Sequence, residues 1–240
     1  MAINFASAAQ KSQLSDNIDA VQNVPGATLC GWVNLTSKIV NATLIRLSYG
    51  SGRTQSRCTL YACGTAGTYL RGTGRALDSD AAADFNSAVL SLTTGVWSFI
   101  AGTWDYVNRR ITLYLNTSSD QSPLLTSWTS GNCSNTNSVA NTLGNQDSSV
   151  GNFPLSGMAE DLRIYNRILS AGELQTILAC RGCDKIILGL RARYLFNSLP
   201  SGTVCAGGEI TYDEKGAYNG TYTAGCTYTG SQLKQRAHYQ

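Results

Sequence analysis

WSFIAGTWD at residues 97–105, RITLYLN at 110–116 and GMAEDLRIYNRILSAGEL at 157–174 decide how this chain folds. In the first, Trp97, Phe99 and Ala101 fall on one face of a strand and Ser98, Ile100 and Trp104 on the other. A short turn follows. The second then alternates cleanly, with Ile111, Leu113 and Leu115 inward and Thr112, Tyr114 and Asn116 outward. A period of two with one apolar face is the mark of a half-buried antiparallel strand. The third opens on Gly157, runs as a strand and passes into a helix start. Ser170 is placed to cap that helix, Glu173 completes a capping box, and Leu169 and Leu174 stand where a hydrophobic staple needs them. Leu174, Ile177 and Leu178 form one apolar stripe. Gly182 is suited to end the helix in the left-handed region.

Strand signals continue on both sides. Residues 27–36 (ATLCGWVNLT) and 41–50 (NATLIRLSYG) are rich in strand formers. Residues 58–74 form a glycine-broken hairpin region. Residues 78–95 are ambiguous, their first half fitting a helical turn and their second a strand. Residues 117–152 are a long polar stretch, of the kind that serves function or assembly. Trp128 within it is either a stacking platform for a ligand or a core plug. Near the C-terminal end, Leu190, Ala192, Tyr194 and Phe196 share a face.

The bulk numbers set the class. A chain of 240 residues with 42% apolar residues can build one large all-β domain. Only 14% of residues are charged, so Ser, Thr, Asn and Gly must supply the polar surface. The net charge of +3 is scattered, which is no footprint for nucleic acid. No apolar stretch approaches a membrane span. The first residues lack a basic start followed by an apolar run, so no secretory signal is read there.

The eight cysteines are Cys30, Cys58, Cys63, Cys133, Cys180, Cys183, Cys205 and Cys226. Their even number points to disulfides among them, while the missing signal points to a reducing birthplace. Both hold for a protein that folds in a cell and works outside it. Connectivity is not readable from the sequence. Cys180 and Cys183 form a C-x-x-C pair, for which helix-end packing is favoured over zinc or redox chemistry.

The three opening segments, in this order, resemble a laminin-G-like domain of the concanavalin A-like lectin/glucanase superfamily. The residues that fit its closing pattern are Gly157, Met158, Asp161, Arg163, Tyr165, Asn166, Arg167, Leu169, Ser170 and Glu173. The strong match covers about a third of the chain and a weaker one residues 1–180. Residues 189–197 and 211–225 resemble the strand that usually opens such domains, as if the fold were circularly permuted. The resemblance implies a two-sheet antiparallel jelly-roll sandwich with one short helix. It also implies a single domain over residues 1–240, with residues 186–230 completing the sandwich.

The superfamily's glucanases carry an E-x-D-x-x-E carboxylate array, and this chain has none. Glu160 and Asp161 are adjacent and would face opposite sides of a strand, as would Asp213 and Glu214. His238 is the sole histidine. No enzyme is expected. Calcium, common among relatives, would draw on Asp105, Asn116, Asp147 and Asp161, for which turn capping is the favoured reading. With Trp128, Asp105, Asn116 and Asp147 form the candidate ligand set.

The function expected is a structural protein of a virion, a capsid decoration protein made in the host cytoplasm. It would be homo-oligomeric and packed against other virion proteins such as the major capsid protein, with its ends ordered in that assembly. The alternative is a lectin-like module that binds a glycan.

Overall fold

The computed structural model of the protein describes residues 1–7, 10–15, 18–50, 55–146 and 153–230. The chain is an all-β sandwich of two antiparallel sheets, with one helix among the described residues. The first sheet takes its strands in the order β10 (Ser118–Gln121), β9 (Arg110–Leu115), β8 (Ser98–Asp105), β3 (Gly26–Leu35), β12 (Gly157–Tyr165), β1 (Ala2–Phe5) and β16 (Thr227–Thr229). β13 (Leu190–Tyr194) also pairs with β12, whose two halves thus hold different partners: Met158 faces Asn4 of β1, and Arg163 faces Arg193 of β13. The second sheet runs β14 (Ile210–Thr211), β15 (Gly220–Tyr222), β2 (Ser12–Leu14), β11 (Thr142–Leu143), β4 (Thr43–Ser48), β5 (Ser56–Tyr61), β6 (Tyr69–Gly74) and β7 (Ala83–Ser91). The C-terminal strands enter both sheets.

The period-two reading of the decisive segments holds. Ile100, Trp104, Ile111 and Leu113 lie in the core between the sheets, while Phe99 and Ala101 lie on the outer face of the first sheet. Trp104 fills the middle of the core and donates from Nε1 to the Thr73 carbonyl at 3.1 Å. Glycines make room for it. A Cβ on Gly102 would stand 2.8 Å from the indole, and one on Gly74 would stand 2.5 Å from the indole and 2.8 Å from the Arg57 carbonyl oxygen.

The helix α1 (Ala171–Cys180) begins as its sequence dictates. The Ser170 hydroxyl accepts from the Glu173 amide, and the Glu173 carboxylate accepts from the Ser170 amide. Arg167 grips the same carboxylate at 2.6 Å. Leu169, Leu174 and Ile177 are buried against Cys30, Trp32, Phe99 and Tyr165, so the helix seals the outer face of the first sheet. The helix end differs from expectation. Arg181 rather than Gly182 is the cap and adopts φ 46°, with Gly182 following at φ 91°. The left-handed cap begins one residue early, and the Arg181 guanidinium reaches to 5.9 Å from the Trp32 ring.

The ambiguous segment after residue 78 forms β7, a nine-residue strand. Its alanines are poor strand formers, but pairing with β6 overrides local preference. The polar stretch that follows β9 contributes two strands, with β10 closing a hairpin onto β9 and β11 inserted between β2 and β4.

Candidate functional site

The outer face of the second sheet carries a row of polar side chains. Across the ladder Gln13, Thr142, Arg46, Thr59, Thr73 and Asp84 stand opposite one another in turn. In a parallel row Tyr61 faces Arg71, which faces Asn86. The pleat gives these residues one face and leaves Ile45, Leu60 and Gly72 for the core. Four arginines rise from or beside these strands, and all are nearly inaccessible: Arg46 0%, Arg57 0%, Arg71 3% and Arg75 5%.

Buried guanidinium groups persist only where their donors are satisfied. Arg57 forks onto Asp78 at 3.0 and 2.8 Å. Burial pushes the Asp78 carboxyl up, but hydrogen bonds from Arg57 and Thr136 outweigh it and hold the group below the usual range. Arg75 donates to the carbonyls of Ser56, Asp78 and Asp80 and to the Tyr49 hydroxyl, and its cation lies 4.9 Å from the Tyr49 ring centroid. Arg71 lies 4.9 Å from the Tyr61 ring centroid, pairs with Asp84 Oδ1 at 2.7 Å and donates to Asn41 Oδ1. Its Nε has no partner among the described residues. Thr73 donates to the same Asp84 oxygen at 2.6 Å.

These residues frame a groove of about 590 Å³ lined by Tyr49, Arg71, Thr73, Arg75, Asp80, Ala81, Ala82 and Asp84. The Asp80 carboxylate is turned to structural work, accepting from the amides of Leu77 and Thr129 and from the Thr129 hydroxyl. The Asp84 side chain lines the groove and is 47% exposed. The groove therefore presents an acceptor, an aromatic ring and small apolar walls.

The sequence-derived candidates lie elsewhere and are not brought together. Trp128 is fully buried, packs 5.2 Å from the Tyr106 ring and donates to the Gly74 carbonyl at 3.2 Å. It fills the core and leaves no ring face at the surface. Asp105 caps its turn by accepting from the Asn108 amide and side chain. Asn116, at φ 52°, accepts from the Phe99 amide at 3.0 Å. Asp147 lies outside the described residues, as does His238. Asp161, at φ 50°, takes Arg163 at 2.9 and 2.6 Å and Arg193 at 2.7 and 3.2 Å. Arg163 bridges on to Asp184 at 2.8 and 2.7 Å. Burial raises the Asp161 and Asp184 carboxyls, but the two arginines hold both below the ordinary range. These oxygens are committed to the chain's own donors and do not fit calcium. Among the described residues no group of three or more His, Cys, Asp or Glu could hold a metal ion. Of the remaining carboxylates, Glu160 is buried 3.3 Å from the N-terminal amine, and Asp213 organises a turn by accepting from the amides of Arg193, Lys215, Ala217 and Tyr218.

All eight cysteines are free thiols. Burial pushes Cys63 and Cys205 up to about 11 and Cys30 and Cys226 up to about 12, so these sulfurs stay protonated and inert at neutral pH. Cys180 and Cys183 sit at the C-terminal end of α1, where Cys183 Sγ donates to the Cys180 carbonyl.

The groove escaped sequence reading. Its signal was present in the alternation of Arg71 and Thr73 of β6 with Arg75 just beyond it, but alternation reports polarity and not concavity.

Residues 7–175 match the Laminin_G_3 family, described as the concanavalin A-like lectin/glucanases superfamily, and the chain belongs to it. No curated protein matches the chain in sequence. Among solved structures, the chain is similar to a protein from Bacteroides ovatus ATCC 8483 taken to be carbohydrate-binding, with TM-score 0.67 and 17% identity over 96% of this chain. The chain spans 60% of that protein's length. It is also similar to the CBM40 of the Ruminococcus gnavus IT-sialidase bound to α2,3-sialyllactose, with TM-score 0.51 and 16% identity over 74% of this chain and 97% of that one. A third is domain 4 of AbnA, an extracellular arabinanase from Geobacillus stearothermophilus in complex with arabinotriose, with TM-score 0.51 and 17% identity over 72% and 85% of the two chains. At these identities the likeness is one of fold.

Proposed function

We propose that this chain is a lectin-like module that binds carbohydrate in the groove over β6 and β7, as one domain and without catalysis. The observation that carries the reading is the Arg71–Asp84 pair. It is anchored below by Asn41, Thr73 and the Tyr61 ring, while the Asp84 side chain stays partly exposed to solvent. A rigid donor–acceptor pair beside an aromatic ring is the equipment for holding a sugar, whose hydroxyls both donate and accept and whose C–H face packs on π surfaces. The carbohydrate-binding character of solved relatives supports the same reading.

The test is a glycan array followed by calorimetry on the hits. Binding that falls at least about tenfold in Asp84→Ala and Tyr49→Ala, with both variants folded, is expected. Binding untouched by either substitution would place the sugar elsewhere, and no binding to any glycan would end the proposal. The virion role draws on low charge, which describes a surface and not a site. Co-purification with capsids at fixed stoichiometry, without glycan binding, would favour it instead.

A further inference from the structure

The charges that line the groove cancel within it. Arg71 faces Asp84 at 2.7 Å, and Arg75 donates to carbonyls beside the buried Asp80, so the lining has two cations and two carboxylates. The cations lie deep. Arg71 and Arg75 are 3% and 5% exposed, whereas the Asp84 side chain is 47% exposed. The first charge an entering ligand meets is therefore negative. The terminal nitrogens of Arg71 are spent on Asn41 and Asp84, and Nη1 of Arg75 is spent on Tyr49 and the carbonyls of Asp78 and Asp80.

We infer that the groove selects neutral glycans and rejects carboxylated ones. The inference rests on the carbohydrate-binding reading and names its ligand class. A ligand carboxylate would have to expel Asp84 from Arg71, or lie against Asp84 with like charge in a half-desolvated cleft, where repulsion is stronger than in water. A neutral sugar meets neither cost. A sugar hydroxyl donates to the exposed Asp84 carboxylate. Hydrogen bonds to charged partners are the strong ones, so a neutral ligand loses little by having no charge of its own. Tyr49, Ala81 and Ala82 supply the apolar side on which a sugar ring can rest.

Calorimetry with arabinotriose, lactose and 3′-sialyllactose tests this on the whole chain. At least one neutral probe is expected to bind about tenfold or more tightly than sialyllactose, with little change in affinity between about 0.05 and 0.5 M salt. Asp84→Asn keeps the shape and removes the negative charge. It should weaken the neutral probe and narrow the gap to sialyllactose about threefold or more. Melting curves will show that the variant is folded, and Ala82→Asp, which adds charge at the wall, should widen the gap. Sialyllactose binding as tightly as the neutral sugars would overturn the inference and leave carbohydrate binding standing. Binding by none of the probes or of an array would overturn both.

Discussion

Each sheet has an outer face turned away from the core, and the two are covered in opposite ways. The first sheet's outer face is apolar where α1 seals it, with Leu174 and Ile177 set among Cys30, Phe99 and Tyr165. The second sheet's outer face is as thoroughly buried over much of its area, yet it is built from Arg46, Arg57, Thr59, Tyr61, Arg71 and Thr73. Apolar burial is non-directional and needs only shape, so one helix can serve. A polar face must have its donors and acceptors satisfied one by one. It is met by loop carbonyls and carboxylates, such as those of Ala140 and Gly50 on Arg46 and Asp78 on Arg57. Where that cover stops, at β7, the pre-oriented Asp84 carboxylate is left at the surface. The apolar face locks the fold, and the polar face supplies the groove.

The sharpest way to break the contrast is to damage the polar lock that pins the end of α1. Arg163→Ala leaves Asp161 and Asp184 buried without their shared partner and should cost about 3–5 kcal/mol by urea unfolding. Leu174→Ala on the apolar side should cost about 2–4 kcal/mol by the same measurement, through lost burial and a residual cavity. Ser170→Ala removes the cap and should cost about 1 kcal/mol.

Acid should separate the carboxylates further. The Arg167 hydrogen bond, against a smaller opposing effect of burial, brings Glu173 from 4.5 down to about 2. A depressed folded value contributes stability above the unfolded one and loses it as the pH falls through the folded one. The stability difference between wild type and Glu173→Ala should therefore be full at pH 6 and shrink from about pH 4.5 towards pH 2. The smallest effect on stability belongs to the groove: Asp84→Asn should stay within about 0.5 kcal/mol of wild type while changing sugar binding. A large loss of stability there would mean that Asp84 belongs to the scaffold.

These contrasts also explain what the sequence disclosed. The capping box and staple of α1 were legible because capping is local, needing only Ser170, Glu173, Leu169 and Leu174 at fixed offsets. Strands β8 and β9 were legible because a two-residue period sorts Ile111 and Leu113 from Thr112 and Tyr114. Trp128 was open to two readings because its bulk suits a core and a platform equally, and only the tertiary position beside Tyr106 decides. The groove was hidden for a related reason. The alternation of Arg71 with Gly72 and Thr73 resembles an ordinary solvent face, and nothing local says that loops cover it up to Asp84 and no further. The bridging role of Asp161 and Asp184 was equally non-local, since Asp184 meets Arg163 from 21 residues away.

The fit around Trp104 has a consequence for any attempt to evolve this scaffold. In a library, position 102 should admit alanine once Trp104 is traded for leucine, because the indole is its nearest obstacle. Position 74 should return glycine in either background, because the fixed carbonyl of Arg57 stands 2.8 Å away whatever occupies position 104. Two glycines beside the same ring thus differ in how far their freedom can be restored by a change elsewhere, and sequencing the survivors would read the difference directly.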